Sequence, residues 1–340
     1  MGQKYLFLLV GIIFTSIGLL QNAEAKDMND KMNGVIVQKV SFPNNSINVV
    51  GNLYLPANSD KSKKYPAIVV VHPFGGVKEQ TSGHYAEKLA EQGFIALAYD
   101  AAYQGESGGT PRLMEIPDMR IEDVSCAVDY LVTRPEVDEN RIGAVGICTG
   151  AVYAIKAAQR DYRIKAVAGV SAFDLGRARR EGLNNSLSRE ERVKRLEEVG
   201  KQRTRQARGE MVQLAAAIPD SPAQFTDKTP VLYREGYEYY RTPRGQHPNA
   251  SARYTFTSLA RQMDFFPFDQ IDTISPRPVL FVAGADADTL YYSQDGYNRA
   301  KEPRELFLVP GASHMDLYDK PQYVVPVVAK LKEFFGKALR

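Results

Sequence analysis

The stretch "RIGAVGICTGAVYAIKAA", residues 141–158, reads as a strand, a sharp turn and a helix with Cys148 at the apex. Residues 142–147 are a short apolar run of the kind found in strands buried on both faces, and 149–160 carry a helical pattern. Gly146 and Gly150 flank the cysteine in the G-x-nucleophile-x-G spacing of a nucleophile elbow. The spacing has a steric cause. A residue at the tip of so tight a turn is strained, and side chains two positions to either side would collide across it. The thiol would then stand above a helix amino terminus, whose free N–H groups and partial positive charge lower a thiol pKa. The competing reading is a small apolar residue packed under a helix, and its partners decide between the two.

Around this stretch lie further apolar runs at 66–72, 94–100, 165–171, 278–284 and 305–310, separated by helical patterns at 80–92, 117–133, 294–301 and 321–339. Such alternation predicts an α/β fold with a mostly parallel central sheet and helices on both faces, reached by right-handed crossovers. Before it, 34–42 and 47–56 alternate as two antiparallel strands around a turn at Asn44 and Asn45. Between Ser171 and Pro276 the rhythm breaks, and residues 173–265 read as an inserted helical cap, leaving 26–172 and 266–340 as the core. Residues 177–210 hold eleven Lys or Arg against six Asp or Glu, which reads first as a solvated helix face and second as a site for anionic substrates.

Composition sets outer bounds. With 44% hydrophobic and 24% charged residues in 340, the chain is of ordinary globular make-up. A net charge of +3 gives no case for nucleic-acid binding. Lys4, the apolar stretch from Tyr5 to Leu20 and Ala23-Glu24-Ala25 read as a cleavable signal over residues 1–25, cut after Ala25. The expectation is a secreted or periplasmic protein with no stable membrane association after cleavage. Of two cysteines, Cys126 lies on a helical pattern with Ile121, Val124, Val128 and Leu131 and reads as core.

A nucleophile at an elbow needs a base, and the base an orienting acid, both following it in the chain. Of the four histidines, His314 in "LVPGASHMDLYD" falls in the loop after the last strand, where the base belongs. Asp286 and Asp288 fall in the loop after the preceding strand, so the order cysteine, aspartate, histidine is complete. The oxyanion donors are expected at the backbone N–H of Thr149, just after the nucleophile, and in the loop after "VVVH", where Pro73 has no N–H and Phe74 is the first usable donor. His72 reads as structural. Ser107 lacks a strand-turn-helix setting.

The blocks "HPFGGVKEQ", "YDAAYQGESGGTPR", "GICTG", "YEYYRTPRGQHPN", "AGADADTLYYS" and "GASHMDLYD" resemble those of α/β-hydrolases of the dienelactone-hydrolase-like branch that use cysteine at the elbow. The resemblance spans nearly the whole chain after the signal. It implies the α/β-hydrolase fold and a triad of Cys148, Asp288 and His314, its "ADT" block pointing to Asp288. Asp286, nearer the strand end, serves instead if the loop is tighter. The function expected is cleavage of an ester, lactone or thioester of a small molecule through an acyl-enzyme. Rival readings are a peptidase on the same fold and a non-hydrolytic binding or thiol-redox protein. No metal or cofactor motif is present: there is no C-x-x-C, no closely paired histidines and no phosphate loop. Tyr237, Tyr239, Tyr240, Arg241 and His247 of the cap either line a substrate entrance or pack the cap onto the core.

Overall fold

The computed structural model describes residues 30–340 except 33 and 61, so the expected signal and its cleavage point after Ala25 lie outside the described residues. Three antiparallel strands come first, β1 (Asp30–Met32), β2 (Val35–Asn44) and β3 (Ile47–Leu55). Asn45 turns between the last two with φ of 51°, a region asparagine tolerates. Alternating strands and helices follow: β4 (Tyr65–Val71), α1 (Thr81–Glu91), β5 (Ile95–Tyr99), α2 (Pro117–Val132), β6 (Val137–Ile147), α3 (Thr149–Arg160) and β7 (Ile164–Val170).

The chain then leaves the sheet. Helices α4 (Leu175–Glu181) and α5 (Arg189–Ala207), strand β8 (Leu214–Ala216), helix α6 (Val231–Arg241), strand β9 (Arg253–Thr255) and helix α7 (Leu259–Met263) form the inserted segment, with β8 and β9 paired as a separate small sheet. It returns through β10 (Val279–Gly284), α8 (Leu290–Arg299), β11 (Arg304–Val309), the short α9 (Asp316–Asp319) and α10 (Pro321–Ala338).

The main sheet has nine strands in the order β1-β2-β3-β5-β4-β6-β7-β10-β11. From β5 to β11 all pairs are parallel. Every residue of β5 and β10 is buried, as expected of strands covered on both faces, whereas the edge strand β11 is only partly buried. The order positions the chemistry. The chain runs from β4 outward to β5 and then crosses back to β6 on the other side of β4, so loops leaving adjacent strands diverge and open a crevice at their carboxyl ends. Register pairs Val71 with Gly146, which sets the Phe74 loop beside the Cys148 elbow.

Candidate active site

Cys148 has φ of 57° and ψ of −121°, a conformation that L-residues rarely adopt and that costs on the order of 1–3 kcal/mol. Its flanking glycines are sterically required. A Cβ on Gly146 would overlap the Gly150 carbonyl, and one on Gly150 would overlap the Val71 carbonyl of β4. Backbone bonds hold the turn: Cys148 N–H donates to Val170 C=O at 2.9 Å, and its own carbonyl accepts from Ala151 and Phe173 at 3.1 Å.

The sulfur is within hydrogen-bonding reach of the Tyr318 hydroxyl and of the backbone N–H groups of Thr149 and Phe74. The two N–H groups expected to serve as oxyanion donors thus both lie at the Cys148 sulfur. The thiol pKa is nonetheless pushed up to about 11, because burial outweighs these contacts and the nearby Arg120 charge, which act the other way. This corrects the expectation of a lowered value: the helix terminus is present, but desolvation dominates.

The Phe74 loop is braced from below. His72 accepts from Ala101 N–H through Nε2 at 3.1 Å, while its Nδ1 lies 2.7 Å from Pro73 C=O, so both ring nitrogens are used structurally. Arg120 donates to the His72 carbonyl at 2.7 Å and pairs with Glu115 at 3.2 Å, and Tyr153 donates to Glu115 at 2.8 Å. Glu115 and Arg120 are fully buried, so removing either partner would leave an uncompensated charge.

His314 is buried, with Ser171 Oγ donating to its carbonyl at 3.0 Å. Its ring lies near Phe173 and Tyr318, both of which line the cavity over Cys148. Nε2 has no hydrogen-bond partner among the described residues. Burial pushes the imidazole pKa down to about 3, which favours the neutral ring.

The side chain beside His314 Nδ1 differs from the expected aspartate. Nδ1 of His314 is 2.6 Å from the hydroxyl of Thr289. Neither aspartate reaches it. The Asp288 carboxylate accepts from Leu232 N–H at 3.0 Å, at the amino end of α6 in the inserted segment, and Asp286 is exposed. Neighbouring side chains in this loop point in different directions, and the turn into α8 directs Thr289 inward while Asp288 faces the cap. The sequence reading missed Thr289 although it is the last letter of the "ADT" block.

A cavity of about 80 Å³ lies above Cys148, lined by Phe74, Phe173, Leu232, Tyr240, Met315 and Tyr318 among others, with Arg179 its sole charged lining residue among the described residues. Of the cap residues singled out from sequence, Tyr240 lines it. Tyr239 packs on Tyr240 and Tyr318, Tyr237 on Phe225, Arg241 pairs with Asp220, and His247 approaches Glu79. Ser107 donates to Asp100 C=O and accepts from Val50 N–H, a structural role. Cys126 and Cys148 are both free, and burial pushes the Cys126 thiol up to about 12. Among the described residues, no group of three or more His, Cys, Asp or Glu is placed to hold a metal ion, and no helix is long and apolar enough to cross a membrane.

Comparison with known proteins gives this geometry a lineage. The dienelactone hydrolase family model matches residues 51–189. The uncharacterized protein YcjY of Escherichia coli (strain K12) is 42% identical over 306 residues, covering 88% of this chain and 99% of that one. The crystal structure of the hypothetical protein PA2218 from Pseudomonas aeruginosa superposes with a TM-score of 0.85 at 39% identity, covering 91% of this chain and 95% of that one. More distantly, the thiohydrolase aneE of Aspergillus aculeatus is 26% identical over 272 residues, covering 79% of this chain and 80% of that one. The chain is an α/β-hydrolase and belongs to the dienelactone hydrolase family.

Proposed function

We propose that the protein hydrolyses an ester, lactone or thioester of a small molecule through an acyl-enzyme on Cys148. The carrying observation is the strained cysteine whose sulfur meets the N–H groups of both Phe74 and Thr149. Those donors suit the oxygen of a tetrahedral intermediate, since they sit at the nucleophile and need no reorganisation as charge develops. As sulfur bonds to the carbonyl carbon, the thiol proton passes to Nε2 of His314. Collapse of the intermediate breaks the bond to the leaving group, which takes that proton. Water then attacks the acyl-enzyme, giving its proton to His314; the C–S bond breaks, sulfur takes that proton back from His314, and the acid alone is released.

Thr289 orients the imidazole by accepting from Nδ1–H. A hydroxyl stabilises an imidazolium less than a carboxylate does, and a thiol, more acidic than an alcohol, asks less of its base. The kinship to a protein named a thiohydrolase supports inclusion of thioesters.

Turnover of p-nitrophenyl butyrate and a butyryl thioester should fall at least about 10³-fold in Cys148→Ala. Unchanged turnover would remove Cys148 from the reaction. The proposal extends to export by residues 1–25. Amino-terminal sequencing of protein from cells of a bacterial host should begin at Lys26, and an intact leader on the accumulated protein would contradict export.

A further inference from the structure

We infer that Arg179 is a specificity residue, selecting at the proposed hydrolytic site substrates that carry a carboxylate beyond the scissile carbonyl. The inference rests on that hydrolytic reading and adds the chemical class of substrate. Helix α4 carries three arginines, and their contacts differ. Arg177 pairs with Glu181 at 2.8 Å, and Arg180 donates to the carbonyls of Met263 and Phe265 at 2.6 and 2.8 Å. Arg179 alone of the three reaches the Cys148 cavity, and it meets no carboxylate among the described residues.

Its side chain is held in place. Nε donates to Gln262 Oε1 at 2.9 Å, and Gln262, itself buried, donates onward to Ser258 Oγ at 3.0 Å. The guanidinium lies 5.3 Å from the ring centroid of Phe74 and 4.7 Å from that of Tyr254. Anchoring through Nε fixes the plane of the group and leaves its two terminal nitrogens without a hydrogen-bonding acceptor among the described residues. The half-buried guanidinium thus keeps two donors free on a fixed plane, and a carboxylate is the planar acceptor that matches its fork.

Position supplies the rest. Arg179, Ala217, Ile218 and Tyr233 border both the Cys148 cavity and an outer groove, so the cation stands where the inner space opens outward. Apart from it and the tyrosine hydroxyls, the inner lining is largely apolar, suited to the hydrocarbon between a reacting carbonyl and a distal anion. The carboxylate can belong to the acyl chain or to the leaving group, and the two require different probes.

The test compares kcat/KM for charged and neutral partners in two arms. Mono-4-nitrophenyl glutarate against 4-nitrophenyl pentanoate puts the charge on the acyl side, and 4-butyryloxybenzoate against its methyl ester puts it on the leaving side. In at least one arm Arg179→Met should lower the charged-to-neutral ratio about tenfold or more, with the neutral ester changed less than about threefold and Arg179→Lys intermediate. An unchanged ratio in both arms overturns the inference. So does an equal fall for charged and neutral esters, which would mark Arg179 as a packing residue for Phe74. Failure of the hydrolytic reading would show separately, as absence of Cys148-dependent turnover of the neutral esters. A binding measurement covers that case. Monomethyl glutarate should protect Cys148 from iodoacetamide at lower concentration than dimethyl glutarate in the unaltered protein and lose that advantage in Arg179→Met. Equal protection by the two in the unaltered protein overturns the inference.

Discussion

At the end of β6 the backbone leaves one solution, and at the end of β10 it leaves several. The Cys148 turn is fixed by collisions that any side chain on Gly146 or Gly150 would cause, and the loop beside it rests on the buried Glu115–Arg120 pair. The histidine side is set by choices between adjacent side chains: Thr289 turns to His314 at 2.6 Å while Asp288 turns to Leu232 N–H at 3.0 Å. A site can thus join one half dictated by main-chain geometry to another dictated by rotamers and loop direction. The two glycines of the first half leave no room for a side chain, and the second half tolerates rearrangement.

The sharpest break of the first half is Gly150→Ala. Its new Cβ meets a β4 carbonyl that cannot rotate away, so we expect a loss of about 3 kcal/mol or more of stability, or failure to fold, read by chemical denaturation. A variant of native stability would show that the elbow has room to relax. On the second half, His314→Gln should reduce kcat about 10²- to 10⁴-fold with the fold intact by circular dichroism. A smaller loss would indicate that another group takes the thiol proton.

The comparison of Thr289→Val with Asp288→Asn separates the two neighbours. Thr289→Val should cost roughly ten- to a hundredfold in kcat, by releasing the imidazole it orients, whereas Asp288→Asn should change kcat less than about threefold. The reverse ranking would return the orienting role to Asp288 and imply that its loop rearranges during turnover.

A thermodynamic signature should accompany the buried base. His314 has a folded pKa of about 3 against an ordinary value of 6.5, so its neutral form is favoured by folding. Above pH 6.5 neither state is charged and the contribution is complete. As pH falls below 6.5 the unfolded chain takes up a proton that the folded chain refuses, and stability declines towards the folded pKa. Relative to His314→Gln, the unaltered protein should lose about 2 kcal/mol between pH 7 and pH 5 by denaturant titration. Measuring the difference from the variant cancels the opposing trend from Asp123 and Asp174, whose carboxyls burial raises to about 6. A pH-independent difference would show that the ring is solvated.

These contrasts also mark what was legible in the chain. The strands, helices and elbow could be read because continuous apolar runs and glycine spacing reflect burial and sterics, which act locally. Helix α3, expected over 149–160, spans Thr149–Arg160. The missing N–H of Pro73 and the position after Cys148 pointed to Phe74 and Thr149, whose N–H groups lie at the Cys148 sulfur. Thr289 did not follow, because no periodicity tells which of two adjacent loop residues turns inward. Arg179 was hidden in a basic run whose ordinary reading is a solvated face, and only its tertiary neighbours separate it from Arg177 and Arg180. The raised thiol pKa was equally out of reach, since it depends on how completely the folded chain buries the sulfur.

The central claim is a covalent intermediate on Cys148, and rapid-quench mass spectrometry with p-nitrophenyl butyrate tests it most directly. The account predicts a transient butyryl adduct on the peptide carrying Cys148, formed at least as fast as steady-state turnover and absent in Cys148→Ala. Turnover with the adduct on another residue, or turnover undiminished in Cys148→Ala, would contradict it.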